Sequence, residues 1–403
     1  MTLLARRPVA PSAATADVRR VLMALFAAGL ATFALIYSPQ ALLPALSEAF
    51  DISAAQSSLA VSATTFALAV ALLVAGTLSE VVGRTPLIHV SLVASAVVAG
   101  LCAVAPSWPV LLGLRVVEGL LLAGLPAVAT AYLREELPAA IHGRAAGLYI
   151  GGTALGGMVG RLLPGGVADL LGWRWALGAV ALLALACAVV VRLVLPPSRH
   201  FRPASPGLRS LGRMTRGAVS DRGLLALYAV GGCGVGAFMA VSNALGFRLT
   251  SPPFGLGVGA ASLVFVAYPL GSLAAMGAGR LADRWGRARV LPLGVAVALG
   301  GVLLTLPAGL PWMAVGFALV IAGFFVVHSV ASGWVPARAH AQGVGPGQAA
   351  SLYLFSFYVA SSVAGTVAAA AWTSVGWSGV VALSSALLLV SAVLAGVLRA
   401  RAA

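Results

Sequence analysis

Apolar runs of about twenty residues, parted by short polar breaks, recur from one end of the chain to the other. Coiled as a helix, a run of roughly 20 residues spans the ~30 Å hydrocarbon core of a bilayer. The pattern predicts twelve such helices: Val21–Leu46, Ser57–Leu78, Leu87–Val104, Pro109–Tyr132, Ala145–Val167, Trp175–Leu195, Leu224–Leu245, Val258–Leu281, Val290–Leu306, Trp312–Trp334, Ala349–Trp372 and Val380–Leu398. The ninth is the shortest. Arg6, Arg7, Arg19 and Arg20 precede the first run as in a signal peptide, yet that run is too long for one and carries Tyr37 and Gln40. It reads as a retained helix. The fold class expected is therefore an all-α integral membrane protein.

Composition agrees. Hydrophobic residues make up 61% of the 403 and charged residues 9%, too few to cover a water-facing surface. Cys102, Cys187 and Cys233 all lie inside apolar runs, which argues against a disulfide framework or a metal site. The formal charge of +15 does not make a nucleic-acid binder, because the basic residues form short clusters with no domain to hold a phosphate backbone.

All 25 basic residues are arginine, and they orient the spans. The N-terminus, the even-to-odd connections with the adjoining span ends (Arg192 and Arg280) and the C-terminus hold 21 of them. The opposite side holds Arg174 and Arg248, and Arg115 and Arg161 fall within spans. Positive charge marks the cytoplasmic side, so both termini are expected there, in a bacterial inner membrane. The longest connection, Pro196–Gly223, carries Arg199, Arg202, Arg209, Arg213, Arg216 and Arg222; it pins the topology and offers charge to anionic lipid. The expected organisation is a tail (1–20), a six-helix bundle (21–195), a linker (196–223), a second bundle (224–398) and a tail (399–403).

The halves echo one another. Gly76-Thr-Leu-Ser-Glu-Val-Val-Gly-Arg84 returns as Gly279-Arg-Leu-Ala-Asp-Arg-Trp-Gly-Arg287, 203 residues on. Gly143-Arg-Ala-Ala-Gly-Leu-Tyr149 returns as Gly347-Gln-Ala-Ala-Ser-Leu-Tyr353, 204 residues on. A six-helix unit repeated in parallel is an architecture of transporters with a central substrate site.

On these segments the chain resembles the major facilitator superfamily over its whole length. Gly76, Glu80, Gly83 and Arg84 are similar to that family's loop motif G-x-L-x-D-x-x-G-R, with Glu80 in place of the usual Asp; Gly279, Asp283, Gly286 and Arg287 form the second copy. Leu114-Arg115-Val-Val-Glu118-Gly119 resembles the helix-four motif. The run Gly151–Gly166 is similar to the helix-five motif of drug:proton antiporters, departing from it where Arg161 and two leucines precede Pro164. The resemblance implies a fold of two pseudo-symmetric six-helix bundles. It also implies a cytoplasmic gate at the loop motifs, where the acid of helix two meets the start of helix eleven near Pro346–Gln348. Helix five, through Gly152, Gly156, Gly157, Gly160, Pro164 and Gly165, would be a hinge facing the other bundle; Ser361, Ser362, Ala364 and Gly365 stand at the equivalent place in helix eleven.

Three charged residues sit deep in spans: Arg115, Glu118 and Arg161. Each alone would cost about 2.5–3.5 kcal/mol at mid-membrane, so each should be paired and face protein or water. Arg115 and Glu118, three apart, share a helix face. The rise of 1.5 Å per residue puts Arg115 and Arg161 each roughly 9 Å from the outer end of its span, at similar depth. Two readings stand: an ion-pair cluster that fixes packing, or a titratable acid held between two cations that couples transport to protons. Leu319 and Ala322 occupy the equivalent places in the second half, which favours function over a folding device. Tyr37, Gln40, Asn243 and Tyr268 are candidates to line the cavity, with Tyr353, Phe355 and Tyr358 as aromatic candidates that also suit packing. His328 suits either a proton relay or a hydrogen-bonded packing role. Ser53-Ala-Ala-Gln56 is a capping box opening helix two.

No phosphate-binding loop, G-x-S-x-G elbow or metal-ligand cluster is present, which disfavours an ATP-driven pump or an enzyme and calls for no cofactor. The expected activity is secondary transport by alternating access: proton-coupled efflux of small, largely apolar molecules or drugs by a monomer. The alternatives are a carrier of a polar metabolite such as a sugar or organic anion, with Arg115 and Arg161 binding substrate, and a non-transporting sensor or channel.

Overall fold

The computed structural model describes residues 13–199, 201 and 215–400. The ends of both tails and linker positions 200 and 202–214, with Arg202, Arg209 and Arg213, lie outside the described residues. Where lipid supplies no hydrogen-bond partner, backbone groups must be satisfied within the segment, and helices do this. Twelve long helices follow among the described residues. They are α1 (Ala13–Tyr37), α2 (Ala54–Val82), α3 (Arg84–Ala103), α4 (Trp108–Glu136), α5 (His142–Leu171), α6 (Trp173–Val194), α7 (Arg222–Thr250), α8 (Val258–Trp285), α9 (Arg287–Leu304), α10 (Leu310–Ala341), α11 (Pro346–Val375) and α12 (Trp377–Ala400). Eleven are apolar enough by composition to cross a membrane. The other, α5, has 30 residues but is diluted by its glycines.

Three helices are broken, and two of the breaks follow prolines. The first span stops at Tyr37, because Pro39 has no N–H to give the carbonyl four residues back; the chain resumes as a 3₁₀ turn, Gln40–Leu42, and a short helix, Leu43–Phe50. The second helical piece of α8 starts at Tyr268, with Pro269 in its first turn, where a missing N–H costs nothing. The third, α4, changes direction at Ala123, just ahead of Gly124. Pro164, Pro292 and Pro336 sit inside helices that continue past them. Ser53 and Gln56 exchange both bonds of the capping box that opens α2.

The duplication is visible in the backbone. Single glycines with positive φ join consecutive helices at Gly83 and Gly172, and again at Gly286 and Gly376. Those pairs are 203 and 204 residues apart. A side chain strains the backbone at such angles, so Gly83 and Gly286 are required by the turns they make. Packing repeats too. In the first half α1 lies on α5 and α6, α2 on α4, and α3 on α6; in the second α7 lies on α11 and α12, α8 on α10, and α9 on α12.

The halves meet along α2 with α11 and α5 with α8. Their hydrogen bonds lie in the part remote from the chain termini. Ser362 Oγ donates to the Ser62 carbonyl at 2.7 Å, Thr366 Oγ1 bonds Ser62 Oγ at 2.8 Å, and the Gly259 N–H donates to Asp169 Oδ2 at 2.9 Å. Toward the terminal end, a methyl added to Gly76, Gly143, Gly147, Gly151, Gly277, Gly279 or Gly347 would meet nothing within 4 Å. The two halves are closed at the remote end and open at the end that carries the termini.

The glycine face of α5 differs from expectation. Methyls on Gly152, Gly156 and Gly160 would overlap the α1 backbone at Phe26, Leu30 and Ala34, in the same half. This face is a fixed, close-packed seam rather than a sliding surface between halves. Of the five glycines among the hinge candidates, Gly157 and Gly165 alone face the other half, against Tyr268 and Ser262. Gly156→Ala should therefore destabilise the protein by about 1–3 kcal/mol through overpacking, lowering its thermal unfolding midpoint in detergent. Gly151→Ala, one turn closer to open space, should not lower it.

Candidate substrate site

The site begins at the break in α1. Pro39 leaves the Leu35 carbonyl without its helical donor, Ser38 Oγ donates to it at 3.0 Å, and the chain continues as the 3₁₀ turn. The Arg115 guanidinium, from α4, takes up these groups: Nη1 donates to Leu35 O at 3.2 Å and Nη2 to Ile36 O at 2.9 Å, while Nε donates to Ala60 O of α2 at 2.8 Å. Nη1 also donates to Glu118 Oε2 at 2.6 Å, and the Cys102 thiol lies 3.9 Å from the same oxygen. Arg115 and Glu118 are 1% and 0% exposed, so the pair is sealed. It ties α1, α2, α3 and α4 together.

The tied break projects Tyr37 and Gln40 toward the second half. Gln40 Nε2 donates to Asn243 Oδ1 of α7 at 2.5 Å, and Gln40 Oε1 accepts from Arg161 Nε. Arg161 Nη1 donates to the Gly157 carbonyl one turn back on α5. The guanidinium carbon lies 4.1 Å from the centre of the Tyr37 ring, 4.8 Å from Tyr268 and 5.0 Å from Phe265, distances at which a cation is attracted to an aromatic face. Arg161 is thus boxed by rings from α1 of one half and α8 of the other. Gln40 and Asn243 are 203 residues apart, so the repeat's equivalent residues meet each other across the pseudo-twofold axis. Gly365 stands where the second half would place its own Arg161, and the Asn243 side-chain nitrogen sits against it.

This arrangement separates residues that similar depth had suggested belong together. Arg161 and Glu118 are not partners: the acid pairs with Arg115 and Cys102, whereas Arg161 bonds Gln40 and the Gly157 carbonyl. Depth along a helix does not fix the direction a side chain faces. Glu118 is not held between two cations, and its partners all lie in one half, so rigid rocking would leave its surroundings unchanged. Tyr37, Gln40, Asn243 and Tyr268 do converge on Arg161. His328 and Tyr353 instead pair with each other, Nδ1 to hydroxyl at 3.0 Å. They end an aromatic row that runs from Tyr268 through Phe238 and Phe324 to His328. Tyr358 packs edge-on against Phe357 beside that row, and Phe355 packs at the core's margin.

The expected gate residues are placed within their own halves. Arg84 Nη2 bonds Glu80 at 2.6 Å and Glu135 of α4 at 2.8 Å, and its Nη1 donates to the Ser79 hydroxyl. Glu80 does not reach the start of α11; there Gln348 Nε2 donates to Thr215 Oγ1 of the linker at 3.0 Å. The latch is unmade in this open-ended conformation. Asp283 and Arg287 show no ion pair among the described residues, and Ala339 stands where the repeat would place a counterpart of Glu135. Sequence reasoning missed Phe265, Glu135, Cys102 and Asp169; spacing along the chain relates none of them to its partner.

The profile described as Major Facilitator Superfamily matches residues 21–347. The chain belongs to this superfamily. It is 41% identical, over 95% of its length and 91% of the relative's, to "Inner membrane transport protein YnfM" of Escherichia coli (strain K12). It is 39% identical, over 94% and 93%, to "Uncharacterized MFS-type transporter YybF" of Bacillus subtilis (strain 168). Its fold matches, with a TM-score of 0.79 and 14% identity over 96% of this chain and 98% of the other, a bacterial homolog to human lysosomal transporter Spinster in an inward-facing and unoccupied conformation. The protein is a multi-pass membrane transporter of this superfamily and not an enzyme.

The Arg115–Glu118 tether generates a mutant cycle. Removing one partner of a buried pair leaves a charge uncompensated and should cost about 3–5 kcal/mol. Glu118→Leu and Arg115→Met should each lower the unfolding midpoint strongly. The double variant should recover part of the loss, though not all, because the Ile36 carbonyl loses its Arg115 donor and the Leu35 carbonyl keeps only Ser38. Single-variant losses that simply add would show that the two residues act independently.

Proposed function

We propose that this transporter is an exporter in a bacterial inner membrane, moving small organic molecules with largely apolar bodies out of the cytoplasm by alternating access. The observation that carries this reading is the joint pattern of closure and charge. The halves are hydrogen-bonded at the remote end and apart at the other. By chain position, 21 of the 25 arginines belong to the open end. Positive charge marks the cytoplasmic face, so the termini and linker lie in the cytoplasm and the cavity opens to it. The aromatic row from Tyr268 to His328 supplies a wall suited to apolar bodies. Export is further supported by the resemblance of Gly151–Gly166 to the helix-five motif of antiporters.

Proton entry is the driving force in this reading. Asp169 supports it better than Glu118, because Asp169 joins the halves through one bond to the α8 backbone at the outer end. Breaking that bond would loosen the closure and favour the outward-open state.

Reconstituted vesicles loaded with a panel of radiolabelled aromatic and aliphatic compounds should show saturable flux and counterflow. Acidifying the face opposite the termini should accelerate export. Flux that never saturates would indicate a channel, and indifference to the pH gradient would remove proton coupling.

Orientation has its own check. In a background without Cys102, Cys187 and Cys233, an impermeant thiol reagent applied to intact cells should label Ser107→Cys and spare Ser220→Cys. Labelling of the second would reverse the topology.

A further inference from the structure

The first half buries two arginines in its spans, and they are finished differently. Arg115 has a carboxylate and three carbonyl oxygens, so each of its nitrogens is bonded. Arg161, 0% exposed, donates to two oxygens, those of Gln40 and the Gly157 carbonyl, and lies beside the Tyr268 hydroxyl; none of these groups carries a full charge. Its Nη2 has no partner, and neither has Asn243 Nδ2, the next amide donor along the Arg161–Gln40–Asn243 chain. A buried cation without a counter-charge, and buried donors without acceptors, are costly unless something completes them.

We infer that the substrate of this transporter is an organic monoanion, its carboxylate held by the unfilled edge of Arg161 and its apolar or aromatic body held by Tyr37, Phe265, Tyr268 and the aromatic row beyond. This deepens the export reading above and rests on it. Donors alone call for an acceptor. A cation among them calls for a charged one, since charge-assisted bonds are about twice as strong as neutral ones. One free cation, the other being consumed by Glu118, matches one negative charge rather than two. The rings lining Arg161 come from both halves, so opening the outer end would withdraw Phe265 and Tyr268 from the guanidinium. The clamp on the anion would then loosen toward the outside.

The test uses the full chain purified in detergent and three probes that share a body and differ in charge: 1-naphthoate, 1-naphthamide and 1-naphthylmethylamine. Naphthoate should bind saturably, and the amide and the amine at least about tenfold more weakly, the loss expected when one charge-assisted bond is removed. Arg161→Gln should weaken naphthoate by a similar factor and leave the amide unchanged. Arg161→Lys should fall between, keeping charge without the planar fork. Because Arg161 also braces Gln40, unfolding midpoints are read alongside, and the three-probe ranking on the unaltered protein needs no variant to fold. Naphthoate that fails to bind, an amide or amine that binds as well, or Arg161→Gln binding naphthoate normally would each overturn the inference. Flux of the amide or amine in vesicles would then leave export standing. Naphthoate that binds but never crosses would overturn export and leave the anion site standing.

Discussion

A helix that stops partway through a bilayer must find donors for its last carbonyls, and the rest of this structure depends on how α1 meets that demand. Pro39 forces the stop, and no water at that depth can satisfy the freed oxygens of Leu35 and Ile36. Ser38 supplies one donor, to Leu35, and Arg115 supplies the others from α4. An arginine there needs a counter-charge, and Glu118, one turn along the same helix, provides it. Only because the break is held does Gln40 reach the pseudo-twofold axis, where it joins Arg161 to Asn243. The ion pair lies outside the substrate site yet sets the site's geometry.

The two halves share a scaffold and divide the chemistry. Their helix pairings and positive-φ glycines repeat at offsets of 203 and 204 residues. Arg115, Glu118, Glu135 and Arg161 have Leu319, Ala322, Ala339 and Gly365 as counterparts. Among the described residues the buried charged groups thus belong to the first half, and the continuous aromatic row from Tyr268 to His328 belongs to the second. Where the halves meet, a polar group of the first, Arg161, is set against aromatic rings of the second, Phe265 and Tyr268.

Most of the architecture was legible in the sequence because bilayer thickness imposes a length on every apolar run, and duplication leaves motifs at a fixed offset. Arg115 with Glu118, and Gln40, Tyr37, Asn243 and Tyr268 around a common centre, were legible as polar or aromatic residues where lipid tolerates few. What was not legible is azimuth. Arg161 lies near the depth of Glu118 but faces a different way, and the glycines of α5 face α1 rather than the other half. Composition marks a face as close-packed without naming what packs on it. Glu135 and Asp169 were passed over because their partners, Arg84 and Gly259, come from elsewhere in the chain.

The same geometry indicates which parts move. The closure between the halves combines the α2–α11 and α5–α8 packing with a few hydrogen bonds, through Ser62, Asn243 and Asp169. Each is worth about 0.5–1.5 kcal/mol net, so together they amount to a few kcal/mol, a difference that a ligand with unequal affinity for the two states can reverse. Within each half the situation is opposite. The α1–α5 seam has no room for a methyl, and the Arg115–Glu118 tether costs about 3–5 kcal/mol to break at one partner. Arg161 sits where the two regimes meet: its backbone is fixed in the rigid first half, while two of its three rings belong to α8 of the second. A group bound there is held by one half and released by the displacement of the other, which is the requirement for a carrier that must bind on one side and let go on the other.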